Sequence, residues 1–131
     1  MSEAQAERAV IVMDETPNSR QMAIVEKYDR VIFYLYPILQ NVPRKHGIAR
    51  DMMLQTLLSQ VELIIVAGKS NQPSRLYSAD ANLAYLRFWL RFASDPKQKI
   101  ITPHQHRAAL ALIAEVGAML GAWVKSAKSR G

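Results

Sequence analysis

The chain has 131 residues and no cysteine, a length that fits one domain with its own core and a composition that excludes disulfides and thiolate metal sites. The first residues lack a basic region followed by a long apolar stretch, so secretion and a membrane span are not expected. The formal net charge is +6, with −2 on residues 1–43 and +8 on residues 44–131. This imbalance favours a polyanionic or acidic partner.

The first predicted helix runs from about Arg20 to Gln40, where apolar residues recur at spacings of three and four. Pro37 lies near its end, and a proline there removes an amide donor and crowds the carbonyl of Phe33. We therefore expect a kink at Pro37 or an earlier end of the helix.

A second helix is predicted to begin at Pro43 and to end at Gly68, which we expect in the left-handed conformation that terminates many helices. Gly68-Lys69-Ser70 also matches the end of a phosphate-binding loop. Such a loop needs another glycine five residues before Gly68, and the chain has Leu63 there, inside a helical pattern. Helix termination is therefore a better interpretation than nucleotide binding.

Two further helices follow. The third is predicted from about Ser74 to Ala93. The fourth begins at Thr102-Pro-His-Gln105, where the threonine, the proline and the glutamine have the spacing of a capping box. Gly117 and Gly121 of this helix suggest close approach of neighbouring helices. Four helices with short connections predict an all-α, antiparallel up-down four-helix bundle.

The domain organisation follows from these elements. We expect the bundle to span residues 20–126, after a flexible N-terminal segment of residues 1–19 and before a basic C-terminal tail of residues 127–131. Within the N-terminal segment, the apolar run of residues 9–13 is too short to assign to a helix or a strand.

The third helix is apolar on two sides, unlike a helix of an isolated small bundle. At about 100° per residue, one side carries Leu76, Ala79, Leu83, Leu86 and Leu90. The other side carries Tyr85, Phe88, Trp89 and Phe92. Deep burial within a monomer would explain this pattern, but aromatic residues are enriched at protein interfaces, and we favour contact with another subunit. The second helix supports the same interpretation, because four of its apolar residues lie outside its main apolar stripe: Ile48, Met52, Leu63 and Val66.

Arg87 and Arg91 lie one turn apart on the aromatic third helix. They could cover the neighbouring rings and pair with Asp80, as is common on helix surfaces. Two guanidinium groups at this spacing could equally bind successive phosphates or a carboxylate. The sequence leaves both interpretations open.

Cations also surround the start of the second helix, where the helix dipole favours anions and cations do not stabilise the helix. This placement raises the probability of a phosphate-bearing partner. The residues that we predict to contact nucleic acid or a protein partner, besides Arg87 and Arg91, are Arg44, Lys45, His46, Arg50, Lys69 and Arg75. No recognition motif accompanies them, so we expect contact with the backbone rather than base reading.

Signals for catalysis are weak. His104 and His106 are two residues apart on a helix, so they point to different sides and cannot bind one metal ion together. The chain has no Glu-x-x-His sequence, which excludes a di-iron bundle site, and its serines have no positioned base. We expect no enzymatic activity, no metal and no cofactor.

Several stretches carry a resemblance to one family. They are Tyr34-Leu-Tyr-Pro-Ile38, Pro43-Arg-Lys-His-Gly47, Val66-Ala-Gly-Lys-Ser-Asn-Gln72, Leu86-Arg-Phe-Trp-Leu-Arg-Phe92, Ile113-Ala-Glu-Val-Gly117 and Leu120-Gly-Ala-Trp123. Over roughly residues 21–125, the chain resembles the accessory variability determinant (Avd) family of diversity-generating retroelements, in its Bordetella phage form.

The resemblance implies a non-enzymatic four-helix bundle that assembles into a homopentameric barrel in the cytoplasm of a bacterial or phage-infected bacterial cell. It implies binding to the retroelement reverse transcriptase and template-repeat RNA, with cDNA as a further candidate ligand, in support of mutagenic cDNA synthesis (mutagenic retrohoming). Arginines matching Arg87 and Arg91 are implicated in association with the reverse transcriptase. A bundle protein of ribosomal-RNA intervening sequences and a protein-only adaptor for an acidic partner are the alternatives.

Overall fold

The computed structural model describes residues 17–70 and 72–130. Four helices account for most of this part of the chain: α1 (Pro17–Gln40), α2 (Gly47–Ser70), α3 (Pro73–Ser94) and α4 (Pro103–Arg130). A short 3₁₀ turn, Arg44–His46, precedes α2. The described residues contain no strand, as predicted. Most of the expected N-terminal segment 1–19 lies outside them.

The four helices form an antiparallel bundle in which each helix packs against two others. Gln21 of α1 contacts Gly68 of α2, and Tyr28 of α1 bonds Leu57 of α2. Residue numbers therefore increase along α1 as they decrease along α2, so the two helices are antiparallel. The same opposed order relates α2 to α3 and α3 to α4, and α1 packs on α4 to close the ring. The predicted up-down bundle is therefore confirmed.

A continuous apolar core fills the ring. All five residues assigned to the first side of the third helix, Leu76, Ala79, Leu83, Leu86 and Leu90, are buried. The other fully covered large side chains include Tyr28, Leu35, Leu39, Met53, Leu57, Ile64, Ile113 and Leu120. Burial of this apolar surface is the main force that holds the four helices together.

Buried polar groups fix the register of the helices. The Tyr28 hydroxyl donates to the carbonyl of Leu57 at 2.6 Å, and burial raises the pKa of this phenol far above its ordinary value. The amide of Gln60 donates to the carbonyl of Ala79 at 2.9 Å, and Asn82 donates to Gln60 Oε1 at 2.7 Å. A shift of either pair of helices would leave these groups without partners in the core.

Pro37 does not end α1 early. The helix continues to Gln40, one turn beyond the proline, so the expectation of an early end is wrong. The turn is completed by Asn41, whose side-chain amide donates to the carbonyl of Pro37 at 3.0 Å. Because Pro37 lies in the last turn, few helical hydrogen bonds follow it and the missing amide costs little.

Gly68 does not terminate α2. No glycine among the described residues has a positive φ, and α2 continues through Gly68 to Ser70. A Cβ atom at position 68 would lie 2.6 Å from Cβ of Gln21. The glycine therefore allows α1 and α2 to approach closely, and the prediction of a left-handed helix end is wrong.

The predicted helix starts have different outcomes. The capping box of α4 is confirmed, since the backbone N–H of Gln105 donates to Thr102 Oγ1 and that of Thr102 donates to Gln105 Oε1, both at 3.0 Å. The second helix starts later than predicted, because the chain after Pro43 first makes the 3₁₀ turn and becomes α-helical only at Gly47.

Two helical segments, residues 44–70 and 103–129, are long and apolar enough to cross a membrane by length and composition alone. Both segments supply core residues to the bundle. Core helices of soluble proteins meet the same criterion, so this is weak support for membrane insertion.

Candidate partner-binding surfaces

The second side of α3 projects away from the core of its own protomer. Tyr85 and Phe88 are 62% and 47% exposed, whereas Trp89 and Phe92 are half-buried. The ring of Trp89 makes edge-to-face contacts with Phe88 at 5.4 Å and with Phe92 at 5.8 Å between centroids. These contacts join Phe88, Trp89 and Phe92 into one aromatic surface. Its use as a subunit interface stays a prediction.

Two residues of α2 extend this aromatic surface. Ile48 is 85% exposed and Met52 is also exposed. Both lie on the flank of α2 that faces α3, as the bond from Asn82 to the carbonyl of Thr56 indicates. We call the combined surface the α2–α3 patch: Ile48, Met52, Tyr85, Phe88, Trp89 and Phe92.

A second exposed apolar surface lies along α1 and α2. Its largest member, Phe33, is 77% exposed. Lys27 and Arg30 mark the flank of α1 that faces α4, because both pair with Glu115 at 3.5 Å. The apolar residues lie on the opposite flank of α1 and on the adjoining flank of α2. We call this surface the α1–α2 patch: Met22, Phe33, Tyr36, Leu58 and Ile65.

The sequence pattern did not predict the α1–α2 patch. The apolar periodicity of α1 is explained by its core-facing stripe alone. The additional apolar residues lie beside that stripe, so they read as part of the core side of the helix. A signal was available in Phe33 and Tyr36, because two aromatic residues lie off the stripe by more than a quarter turn.

The predicted cationic residues do not form one cluster. Arg44 and Lys45 are exposed in the 3₁₀ turn, near half-buried His46. Arg50 is half-buried and bonds its neighbour Asp51 at 3.1 Å, which neutralises part of its charge. Lys69 lies at the opposite end of α2, about 28 Å from Arg50 along the helix axis. Arg75 follows at that same end, in the first turn of α3.

Arg87 and Arg91 have different surroundings. The guanidinium of Arg91 lies over the ring of Phe88, 5.7 Å from its centroid, which fits the first of the two interpretations of this pair. Arg87 is half-buried, and its guanidinium lies against Gly117 of α4, where a Cβ atom would be 2.4 Å from Nη2. Within the described residues, neither arginine pairs with Asp80.

The two glycines of α4 differ in what they approach. Gly117 accommodates the end of the Arg87 side chain, so its role is to make room for a guanidinium, and the predicted close approach of helices at this residue stays a prediction. At Gly121 a Cβ atom would meet no atom of the described chain within 4 Å. The expectation that Gly121 brings two helices of the bundle together is therefore wrong.

The described residues offer little catalytic chemistry. Ser94 Oγ and His106 Nδ1 are 3.0 Å apart, but the serine hydroxyl also donates to the carbonyl of Arg91. When the serine proton is in the bond to that carbonyl, the histidine donates to the serine, which is the reverse of a nucleophile–base pair. Nowhere in the described chain do three metal-ligand side chains come together. A cleft of about 310 Å³, lined by Pro37, Ile38, Asn41, Val42, Ile100 and Gln105, contains no acid or base.

Comparison with known families identifies the class. The family whose sequence model matches is described as bAvd-like, and the match covers residues 22–127. The chain therefore belongs to the bAvd-like family, which implies an accessory protein of diversity-generating retroelements. No curated protein matches the chain. Family membership also fits a soluble, non-catalytic protein.

Proposed function

We propose that this protein is a non-enzymatic scaffold that binds the reverse transcriptase and template-repeat RNA of its retroelement during mutagenic retrohoming, with the cDNA as a further candidate ligand. The family match over residues 22–127 is the observation that carries this proposal. Exposed cations and two exposed apolar patches on one small bundle support it, because a scaffold needs surfaces for nucleic acid and for protein.

A homopentameric ring is part of the proposal. A cyclic assembly uses two different patches on each subunit, one against the other of the next copy. Adjacent sides of a four-helix bundle face directions about 90° apart, and the two neighbours in a five-membered ring lie about 108° apart as seen from one subunit. The α1–α2 patch and the α2–α3 patch occupy adjacent sides, which supports a small closed ring, and the Avd resemblance implies five members.

Assembly would multiply the charge of the surface. Five copies of a chain with net charge +6 carry +30. Affinity for RNA should then fall by about 10³-fold between 50 and 200 mM salt if six or more phosphates are neutralised. An affinity for RNA that does not change with salt would contradict the proposal.

The partners can be tested by co-purification. The tagged protein is co-expressed with the reverse transcriptase and template-repeat RNA encoded beside it, and both should be recovered with it. Arg87→Ala combined with Arg91→Ala should reduce recovery while the helical circular-dichroism signal stays unchanged. Failure of the wild-type protein to recover either partner would contradict the proposal. Unfolding of the double variant would instead indicate that the two arginines are structural.

Gene context distinguishes the alternatives. A neighbouring reverse transcriptase gene with paired template and variable repeats is expected. A gene inside a ribosomal RNA operon would favour the protein of ribosomal-RNA intervening sequences. A protein-only adaptor would bind an acidic protein and leave RNA unbound in a filter assay.

A further inference from the structure

The groove between α3 and α4 gathers positive charge on the side of the bundle that neither apolar patch uses. Its position follows from the contacts of Arg87 with Gly117 and of Tyr77 with Lys128. We call it the α3–α4 groove: Tyr77, Arg87 and Arg91 of α3 with Gly117 and Lys128 of α4. From Tyr77 to Arg91 it extends about 21 Å along the helix axis.

Acidic groups are nearly absent from this groove. Among the carboxylates of the described residues, Asp80 alone lies along it, and Asp80 forms no ion pair with Arg87 or Arg91. Glu115 is on the opposite flank of α4, where it pairs with Lys27 and Arg30 of α1. The groove therefore attracts an anion that its own chain does not supply.

Arg87 is the cation placed deepest in the groove. Arg87 is half-buried as a residue and its guanidinium lies against Gly117, yet no carboxylate in the described part of the chain bonds it. It occupies this position because residue 117 has no Cβ atom, which would lie only 2.4 Å from Nη2. A partly desolvated guanidinium binds an oxyanion more strongly than a fully hydrated one.

Exposed aromatic rings accompany the other two cations. Arg91 lies over Phe88 at 5.7 Å and Lys128 lies over Tyr77 at 5.8 Å. Both rings are partly exposed in one protomer. Phe88 also belongs to the α2–α3 patch, so Tyr77 is the ring that stays open beside a cation when that patch is covered. Surfaces that bind single-stranded nucleic acid usually combine basic side chains along the path of the phosphate backbone with aromatic rings on which bases stack.

We propose that the α3–α4 groove binds the phosphate backbone of single-stranded nucleic acid, and that Gly117 positions Arg87 for this contact. The inference rests on the proposed function and assigns RNA binding to one surface. The phosphates bond Arg87, Arg91 and Lys128, and an unstacked base packs on Tyr77. In the proposed ring this groove stays accessible, since the subunit contacts use the other two sides.

The first test compares two double variants that remove equal charge. Binding of a fluorescein-labelled 20-nucleotide polyuridine RNA is measured by fluorescence anisotropy over a range of salt concentrations. Arg87→Gln with Arg91→Gln should lower the magnitude of the log–log salt slope by about 1.4, since each single-strand phosphate contact contributes about 0.7. Lys97→Gln with Lys99→Gln, in an exposed loop, should leave the slope nearly unchanged.

The second test uses Gly117→Ala, which keeps every charge. The new methyl group should displace the flexible end of Arg87 and raise the dissociation constant about tenfold, the effect of one lost charged hydrogen bond. The melting temperature should not fall, because alanine favours a helix more than glycine does. In the Arg87→Gln background, Gly117→Ala should cause no further loss of affinity.

A third variant tests the preference for single strands. Tyr77→Ala should weaken polyuridine binding about tenfold, because stacking of one base is lost. A duplex RNA of equal length should lose less affinity, since its bases stay paired and stacked. Equal losses for both RNAs would overturn the assignment to single strands.

The outcomes separate this inference from the proposed function. If the wild-type protein binds no RNA at low salt, the proposed function itself fails. If it binds RNA but both charge variants lose affinity equally, or Gly117→Ala has no effect, the groove assignment is overturned and the scaffold function stands. If the groove variants keep RNA affinity and lose only the reverse transcriptase, the groove is a protein-binding surface and the inference is also overturned.

Discussion

Gly68 and Gly121 are both helical residues, and a methyl group would meet very different surroundings at each. At position 68 it would lie 2.6 Å from Cβ of Gln21, an atom that cannot move without moving the backbone of α1. At position 121 it would meet nothing within 4 Å in the described chain. The presence of glycine therefore did not predict either role, because the role depends on whether a residue of another helix lies close to it.

This difference gives a matched pair of variants. Gly68→Ala should lower the free energy of unfolding by about 1–3 kcal/mol, because α1 and α2 are forced apart. Gly121→Ala should raise it by about 0.5–1 kcal/mol through helix propensity. Urea denaturation followed by circular dichroism measures both changes. A Gly68→Ala variant as stable as wild type would contradict the close contact with Gln21.

Tyr28 should make stability depend on pH in the alkaline range. Burial raises the pKa of the folded phenol above the ordinary value of 10.0, so the unfolded chain loses this proton first. The contribution of Tyr28 is then complete below about pH 10 and is lost above it, by up to about 1.4 kcal/mol per pH unit. Tyr28→Phe should cost about 1 kcal/mol at neutral pH through the lost hydrogen bond to Leu57.

Denaturation of both proteins between pH 8 and 12 tests this point. The stability difference between wild type and Tyr28→Phe should narrow above pH 10 and then reverse. A difference that stays constant to pH 12 would show that the phenol ionises equally in both states.

At the scale of the helices, the sequence predicted correctly those features that depend on a few neighbouring residues of one helix. The capping box at Thr102 and the core stripe of α3 follow from spacing alone, and both are present in the fold. The end of α2 was misplaced because Gly68 serves a contact between helices. The α1–α2 patch was missed because the exposure of a residue depends on which flanks of its helix are covered by the neighbouring helices.

The cap of α4 provides a prediction about one element. Thr102→Ala removes the acceptor of the Gln105 amide and should lower the free energy of unfolding by about 1 kcal/mol. Gln72 occupies the corresponding position before α3 but makes no side-chain capping bond. Gln72→Ala is therefore the control and should be nearly neutral in the same thermal melt. Equal effects of the two variants would contradict the capping role of Thr102.

At the scale of the whole molecule, the two apolar patches are the feature that a single bundle does not explain. Phe33 belongs to one patch and Tyr85 to the other, and each is more than half exposed. If the patches pack on one another in a ring, a charge on either one should prevent closure.

Variants of the two patches test the ring directly. Phe33→Glu and Tyr85→Glu should each give monomers on size-exclusion chromatography, because neither can bind a copy of itself. Their equimolar mixture should form a dimer of about 30 kDa, since one intact pair of patches remains. Tyr77→Glu, at an exposed aromatic residue outside both patches, is the control and should assemble as wild type. Failure of the mixture to associate would contradict the pairing of these patches.

The central claim is that this accessory protein works as a ring of bundles, and its mass in solution tests that claim most directly. One chain has a mass of 14.8 kDa, so five give 74 kDa. Multi-angle light scattering of the wild-type protein at micromolar concentration should report about 74 kDa. A monodisperse particle of 14.8 kDa would contradict the account, because the two apolar patches would then remain uncovered.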